Sequence, residues 1–309
     1  MTDIIFMGTP AMAVPTLNKL LENGFNVKLV VCQPDKPQGR GQKLKPCPVK
    51  ETALARGIEV FQPEKLRNNT DALEKLKGYN CDFLVVVAYG KILPKDVLNI
   101  PKKAPINVHF SLLPKYRGAA PVNWAIINGE STTGVTTMLM DEGLDTGDIL
   151  LIKETFVDRK NSEELSMELA EIGGELLIRT IQKFDSISPL KQDEKYTCYA
   201  PMIKKDDGFI NFEEDAAAIE RKIRGFYPWP TAWTKLGDLT FKIFKADVVK
   251  SNNSLAPGTL FDLNKNGFNI KCGSDALSVK DVQLEGKKRM DVKSFLSGYK
   301  MVEGIVFGK

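Results

Sequence analysis

Residues 83–90 read FLVVVAYG, a near-continuous apolar run in which no polar residue alternates. A strand with one wet face alternates, whereas a strand covered on both faces does not. Short strand-like runs stand at 4–8 (IIFMG), 27–33 (VKLVVCQ) and 106–111 (INVHFS). Segments of helical period stand between them, 14–24 (VPTLNKLLENG, stopped by Gly24) and 72–79 (ALEKLKGY). Strands alternating with helices predict an α/β domain built on a mainly parallel sheet with helices on both faces. A helix at 122–129, strands at 134–140 and 148–157, and a long amphipathic helix at 162–184 continue it.

The pattern breaks at SISPLKQDEKYTCYAPMIKKDDG, 186–208, a polar stretch rich in Pro, Lys and Asp. After a short helix at 215–226 the chain reads as brief β runs punctuated by Gly237-Asp238, Pro257-Gly258 and Asn266-Gly267, which predicts a small antiparallel barrel. The expected division is an α/β domain at 1–189, a linker at 190–208 and a β domain at 209–309.

With 43% hydrophobic and 27% charged residues the composition is that of a globular protein rather than a disordered one. No apolar run reaches the roughly 20 residues of a membrane helix. Asp3 stands where a secretory signal carries positive charge. The five cysteines are dispersed, without a C-x-x-C pair, so the expectation is a cytoplasmic protein with no disulfide framework and no zinc ribbon. Acid and base balance over 1–189, 23 against 23, and the surplus of the +4 net charge lies in 190–309. Within the balanced part, 35–50 (DKPQGRGQKLKPCPVK) sets five basic residues against Asp35, and its three prolines and two glycines predict a stiffened loop. Leu44 between Lys43 and Lys45 places an apolar residue on a basic loop, which suits insertion against unpaired bases; a solvated surface loop is the plain alternative.

The chain has one histidine, His109, at the end of an apolar run. In a strand Asn107, His109 and Ser111 share one face, with Ile106, Val108 and Phe110 on the other. Three polar side chains then emerge near a strand's carboxyl end, where open α/β sheets bind ligands. The loop MDEGLDTGD, 140–148, gathers Asp141, Glu142, Asp145 and Asp148; it lacks the spacing of a calcium loop, and a carboxylate from it could meet His109 and fix its tautomer. FMGTPAMA after the first strand lacks the G-x-G-x-x-G of a dinucleotide site.

INVHFSLLPKYRGAAPVNWAIINGE together with GVTTMLMDEGLDTGDIL resembles the formyltransferase family that uses 10-formyltetrahydrofolate. The resemblance runs nearly the full chain, through the loop 33–50, RGFYPWPTAWT and the terminal LEGKKRMDVKSFLSG. It implies a Rossmann-like domain followed by a barrel resembling an OB-fold. It implies Asn107, His109 and Asp145 as catalytic residues, and a folate site of Ser111, Leu112, Leu113, Pro114, Val87, Tyr89, Gly90, Ile92, Leu93 and Asp141, with no metal. It further implies initiator methionyl-tRNA as acceptor, gripped by Arg40, Lys43, Leu44 and Lys45, and a monomer without an obligate protein partner. Phe110 stands where the family has a small residue or proline, and Gln42 where it often has a basic one. An amino-sugar or purine acceptor, hydrolysis of the folate, or a non-catalytic RNA-binding role are the alternatives.

Overall fold

The computed structural model describes residues 1–38 and 43–308 and forms two compact units. The first comprises Met1–Pro121, Thr132–Phe156 and Ser166–Pro201. Its strands are β1 (Asp3–Gly8), β2 (Asn26–Val31), β3 (Lys36–Gln38), β4 (Lys43–Lys45), β5 (Val60–Phe61), β6 (Phe83–Val87), β7 (Ala104–His109), β8 (Arg117–Gly118), β9 (Thr132–Leu139), β10 (Ile149–Phe156) and β11 (Tyr199–Ala200). Seven of them form one sheet in the order β10-β9-β7-β6-β1-β2-β5. The pairings from β7 through β5 are parallel; β9 and β10 run antiparallel. The expected mainly parallel sheet is present, with an antiparallel edge.

All five residues of β6 are buried, which is why its sequence shows no alternation. On one face Ile5, Met7, Leu29, Val31, Leu84 and Val86 pack with Ala72, Leu76, Val97 and Leu98 of the helices Thr70–Gly78 and Lys95–Leu98. The other face carries the helix Ser162–Gln182, which approaches so closely that a Cβ at Gly173 would lie 2.9 Å from Val108 Cγ1 and 3.3 Å from Phe110 Cε1. Phe110 therefore fills the space under this helix, on the face away from Asn107 and His109, as strand parity requires.

The basic stretch departs from the expected loop. β3 and β4 pair antiparallel, Lys36 opposite Lys45 and Pro37 opposite Leu44, and a helix starts at Pro48. Proline is tolerated in a two-stranded edge ribbon and at a helix's first position, so these prolines direct the ribbon and the helix start without forbidding either. Asp35 and Gln62 close the ribbon's base: Lys50 Nζ donates to Asp35 Oδ2 and Gln62 Oε1, both at 2.6 Å. Arg40 and Gln42 lie outside the described residues.

The second unit comprises Val122–Ser131, Val157–Leu165 and Met202–Lys309. Its antiparallel sheet orders β12 (Ala232–Leu236), β13 (Leu239–Val249), β16 (Ala276–Leu284), β15 (Gly267–Lys271) and β14 (Leu260–Asn264), with β17 (Met290–Asp291) on β16. Phe241, Phe268, Phe295 and Phe307 fill its core beside Ile219 and Ile223 of the helix Ala216–Gly225. The units do not follow the linear boundaries 1–189, 190–208 and 209–309. Asn123 Nδ2 donates to the Gly225 carbonyl at 2.7 Å and Arg221 Nε to that of Ile127 at 3.2 Å, so 122–131 packs with the helix Ala216–Gly225. The expected linker divides at Pro201 and Met202.

Candidate active site

β7 carries Asn107 and His109 to the carboxyl end of the parallel strands, where Asn107 pairs with Val86 of β6 and His109 lies opposite Thr136 of β9. Both side chains are buried. His109 Nε2 lies 2.9 Å from the Tyr116 carbonyl oxygen. A carbonyl only accepts, so Nε2 carries the proton of that bond and Nδ1 is the nitrogen left for exchange. Nδ1 stands 3.7 Å from Asp145 Oδ2, an ion-pair distance beyond hydrogen-bond reach. The tautomer is thus set by Tyr116, not by the acidic loop from which the sequence expected it.

Asp145 is reached from three sides. The Gly118 amide donates to Oδ2 at 2.9 Å, Asn107 Nδ2 to Oδ1 at 3.4 Å, and the His109 ring faces Oδ2. Its backbone is left-handed, with φ 53°, and Tyr116 has φ 60°. Non-glycine residues held there cost about 1–3 kcal/mol each and mark places where the surroundings dictate conformation. The loop around Asp145 has no slack. A Cβ at Gly147 would overlap the Leu139 carbonyl oxygen, and one at Gly143 would overlap Thr146 Oγ1. Asp141 Oδ1 accepts from the Gly143 amide at 3.0 Å and from Thr146 Oγ1 at 2.7 Å, so this carboxylate folds its own loop.

The turn after β7 is anchored by Thr136, whose Oγ1 donates to the Ser111 carbonyl at 2.7 Å and accepts from the Leu113 amide at 3.2 Å. Ser111 Oγ donates to the Lys115 carbonyl at 2.6 Å, and Leu113 packs with Met138 and Ile149. The peptide Leu113–Pro114 is cis, and Leu112 Cδ2 lies close over Gly134.

The segment after β6 leaves the sheet beside these residues, because Val87 pairs with Gly8 while its neighbour Val86 pairs with Asn107. Tyr89 and Leu93 turn into the core. The Tyr89 carbonyl accepts from Thr9 Oγ1 at 3.2 Å and Gln33 Nε2 at 3.1 Å. Gly90, with φ 84°, and Ile92, 73% exposed, remain at the surface. Desolvation raises the Tyr89 phenol to about 12, so it is a neutral core group. Leu44 is 69% exposed and Lys45 is exposed beside it on the ribbon, while Lys50 is committed to Asp35.

Tyr116, Gly118, Thr136 and Arg117 were not anticipated as site residues. Arg117 is 1% exposed and gripped by Glu194, which holds the guanidinium's pKa above its ordinary value. An arginine three residues after the Ser-Leu-Leu-Pro turn was the available signal; the Tyr116 carbonyl and the Gly118 amide carry none. Among the described residues no group of three or more His, Cys, Asp or Glu could hold a metal ion, and no helix is long and apolar enough to cross a membrane.

Asn107, His109 and Asp145 thus meet beyond the carboxyl end of an α/β sheet, and comparison with known proteins places the chain among the formyl transferases. The formyl transferase family model matches residues 2–181 and that of the formyl transferase C-terminal domain residues 202–300. The fold is shared with an N-formyltransferase from Helicobacter canadensis solved with folinic acid and dTDP-3-aminofucose, at TM-score 0.68 and 21% identity over 90% of this chain and 98% of that one. Curated relatives are much nearer in sequence. The methionyl-tRNA formyltransferase of Citrifermentans bemidjiense is 48% identical over 99% of this chain and 96% of its own, and that of Clostridium novyi 50% identical over 96% of each. The chain belongs to the methionyl-tRNA formyltransferase family.

Proposed function

We propose that this protein transfers the formyl group of 10-formyltetrahydrofolate to the α-amino group of methionine on initiator tRNA. The carrying observation is the convergence of Asn107, His109 and Asp145 beside the Gly118 amide. The near full-length identity to the named relatives favours this acceptor over an amino sugar, which the shared fold alone does not do.

The bound folate supplies a formyl carbon on N10. The acceptor nitrogen bonds to that carbon, the N10–carbon bond breaks, and one proton passes overall from the amine to N10. Negative charge develops on the formyl oxygen, where Asn107 Nδ2 is one donor and His109 Nδ1, when it carries the transferred proton, is the other, each worth about 3 kcal/mol in comparable sites. Asp145, 3.7 Å from Nδ1, faces the ring that Tyr116 holds and takes the proton of the attacking nitrogen. No nucleophilic side chain is called on, so the transfer is direct.

The folate is read to lie along the segment from Val87 to Leu93 and over Ser111 to Pro114. What supports this is the exposure of Gly90 and Ile92 in the segment after β6 and of Asp141 in the acidic loop. Tyr89 and Leu93, turned into the core, contribute through their main chain. Arg40, Lys43, Leu44 and Lys45 are read as the acceptor-end grip, Leu44 standing exposed between two lysines. The five free thiols suit a reducing cytoplasm, and a monomer is the expected state. The test is formation of formylmethionyl-tRNA by purified protein given 10-formyltetrahydrofolate and methionyl-tRNA. Folate hydrolysis without transfer would overturn the reading.

A further inference from the structure

The left-handed backbone of Asp145 persists because something holds it. The side chain of Gln192 does so: its Nε2 donates to the carbonyl oxygens of Asp145 at 2.9 Å and Gly147 at 2.7 Å, on either side of Thr146. An amide that spends its nitrogen on two carbonyls must satisfy its oxygen elsewhere, and Gln192 Oε1 accepts from Arg117 Nε at 3.0 Å. Because Nε only donates, that bond determines which end of the amide faces the loop. The Arg117 terminal nitrogens meet the two Glu194 oxygens at 3.0 and 2.8 Å, a bidentate charge-assisted pair that fixes the guanidinium plane.

Arg117 also sits between the two backbone groups that touch the reacting pair. The carbonyl before it, Tyr116, accepts from His109 Nε2, and the amide after it, Gly118, donates to Asp145 Oδ2. β11 pairs in parallel with this same dipeptide, Tyr199 with Arg117 and Ala200 with Gly118. The segment 192–200 thus braces the site at a side chain, at a loop and along a strand.

We propose that Gln192, aimed by Arg117, is a positioning residue that sets the Asp145 carboxylate against His109, which makes 192–200 a working part of the active site rather than a tether. The proposal rests on the reading that Asp145 serves the transfer, and the test separates the two. In the full-length protein, Gln192→Ala, Gln192→Glu, Asp145→Asn and the double variant Gln192→Ala with Asp145→Asn are assayed for formyl transfer at a temperature where circular dichroism shows all folded. Glu at this position keeps an acceptor for Arg117 but turns lone pairs onto both carbonyls, so it rescues nothing. Both Gln192 variants lose about 10- to 100-fold in kcat, as misplacement of a catalytic group does. Their KM for 10-formyltetrahydrofolate stays within about two-fold. In the Asp145→Asn background Gln192→Ala adds no further loss. Full activity of Asp145→Asn would overturn the reading of Asp145 itself. An impaired Asp145→Asn with an unimpaired Gln192→Ala, a rescue by Glu, or equal losses from Gln192→Ala in both backgrounds would overturn the positioning role alone.

Discussion

Asp145 Oδ2 stands 3.7 Å from His109 Nδ1, while the other ring nitrogen of His109 is spent on the Tyr116 carbonyl at 2.9 Å. The gap is too wide for a hydrogen bond and too narrow to hold a bulky group. It suits a site in which a substrate atom lying to one side of the pair is met by both the imidazole and the carboxylate.

His109→Ala removes one donor to the developing oxyanion and lowers kcat by about 10²- to 10³-fold. Affinity for tRNA, measured by filter binding, stays near that of the native protein. A matching loss of affinity would move His109 from chemistry to binding.

Asp145→Asn is the cleanest test of the carboxylate, because asparagine tolerates the left-handed backbone that Asp145 adopts at φ 53°. The unfolding midpoint should hold while kcat falls by about 10²-fold or more, the range of a lost acid–base group. A variant that unfolds early yet retains turnover when folded would contradict the assignment.

Much of this was legible in the sequence. The unbroken apolar run of 83–90 announced a buried central strand, and strand parity placed Asn107 and His109 on one face and Phe110 on the other. What stayed hidden is carried by the main chain or by distance. The Tyr116 carbonyl and the Gly118 amide have no letter in the sequence. Gln192 reaches Asp145 across 47 positions of chain from a stretch whose polar composition reads as a tether. The basic ribbon was missed because prolines are strong loop signals, whereas a short edge ribbon accommodates them.

Gly147→Ala puts a methyl group onto the Leu139 carbonyl oxygen, where backbone must move. It should destabilise the protein by about 2 kcal/mol or more, beyond the usual point substitution, and depress turnover with it. Urea unfolding monitored by fluorescence reads this; an unchanged midpoint would mean the loop has room that the geometry denies.

The base of the ribbon gives a pH dependence with a definite sign. Hydrogen bonds from Lys50, first, and Gln62 hold the Asp35 carboxyl below its ordinary 3.8. A depressed folded-state pKa contributes stability above the unfolded value and loses it as pH falls. The stability difference between the native protein and Asp35→Asn should therefore be constant at neutral pH and shrink as pH drops below about 4. A difference that grows on acidification would reverse the assignment.

On the ribbon, Lys45→Ala should weaken tRNA binding and reduce the slope of log K against log salt by about 0.7–0.9, one phosphate contact. Leu44→Ser should leave that slope unchanged and weaken discrimination among tRNAs, because an apolar side chain meets bases rather than phosphates. An unaltered salt slope in Lys45→Ala would remove that residue from the RNA contacts.

The measurement that bears most directly on the whole account is formyl transfer from 10-formyltetrahydrofolate to methionyl initiator tRNA, run beside methionyl elongator tRNA at equal salt. The account predicts rapid formylation of the initiator and little of the elongator. Folate bound without transfer to either RNA, or equal transfer to both, would contradict it.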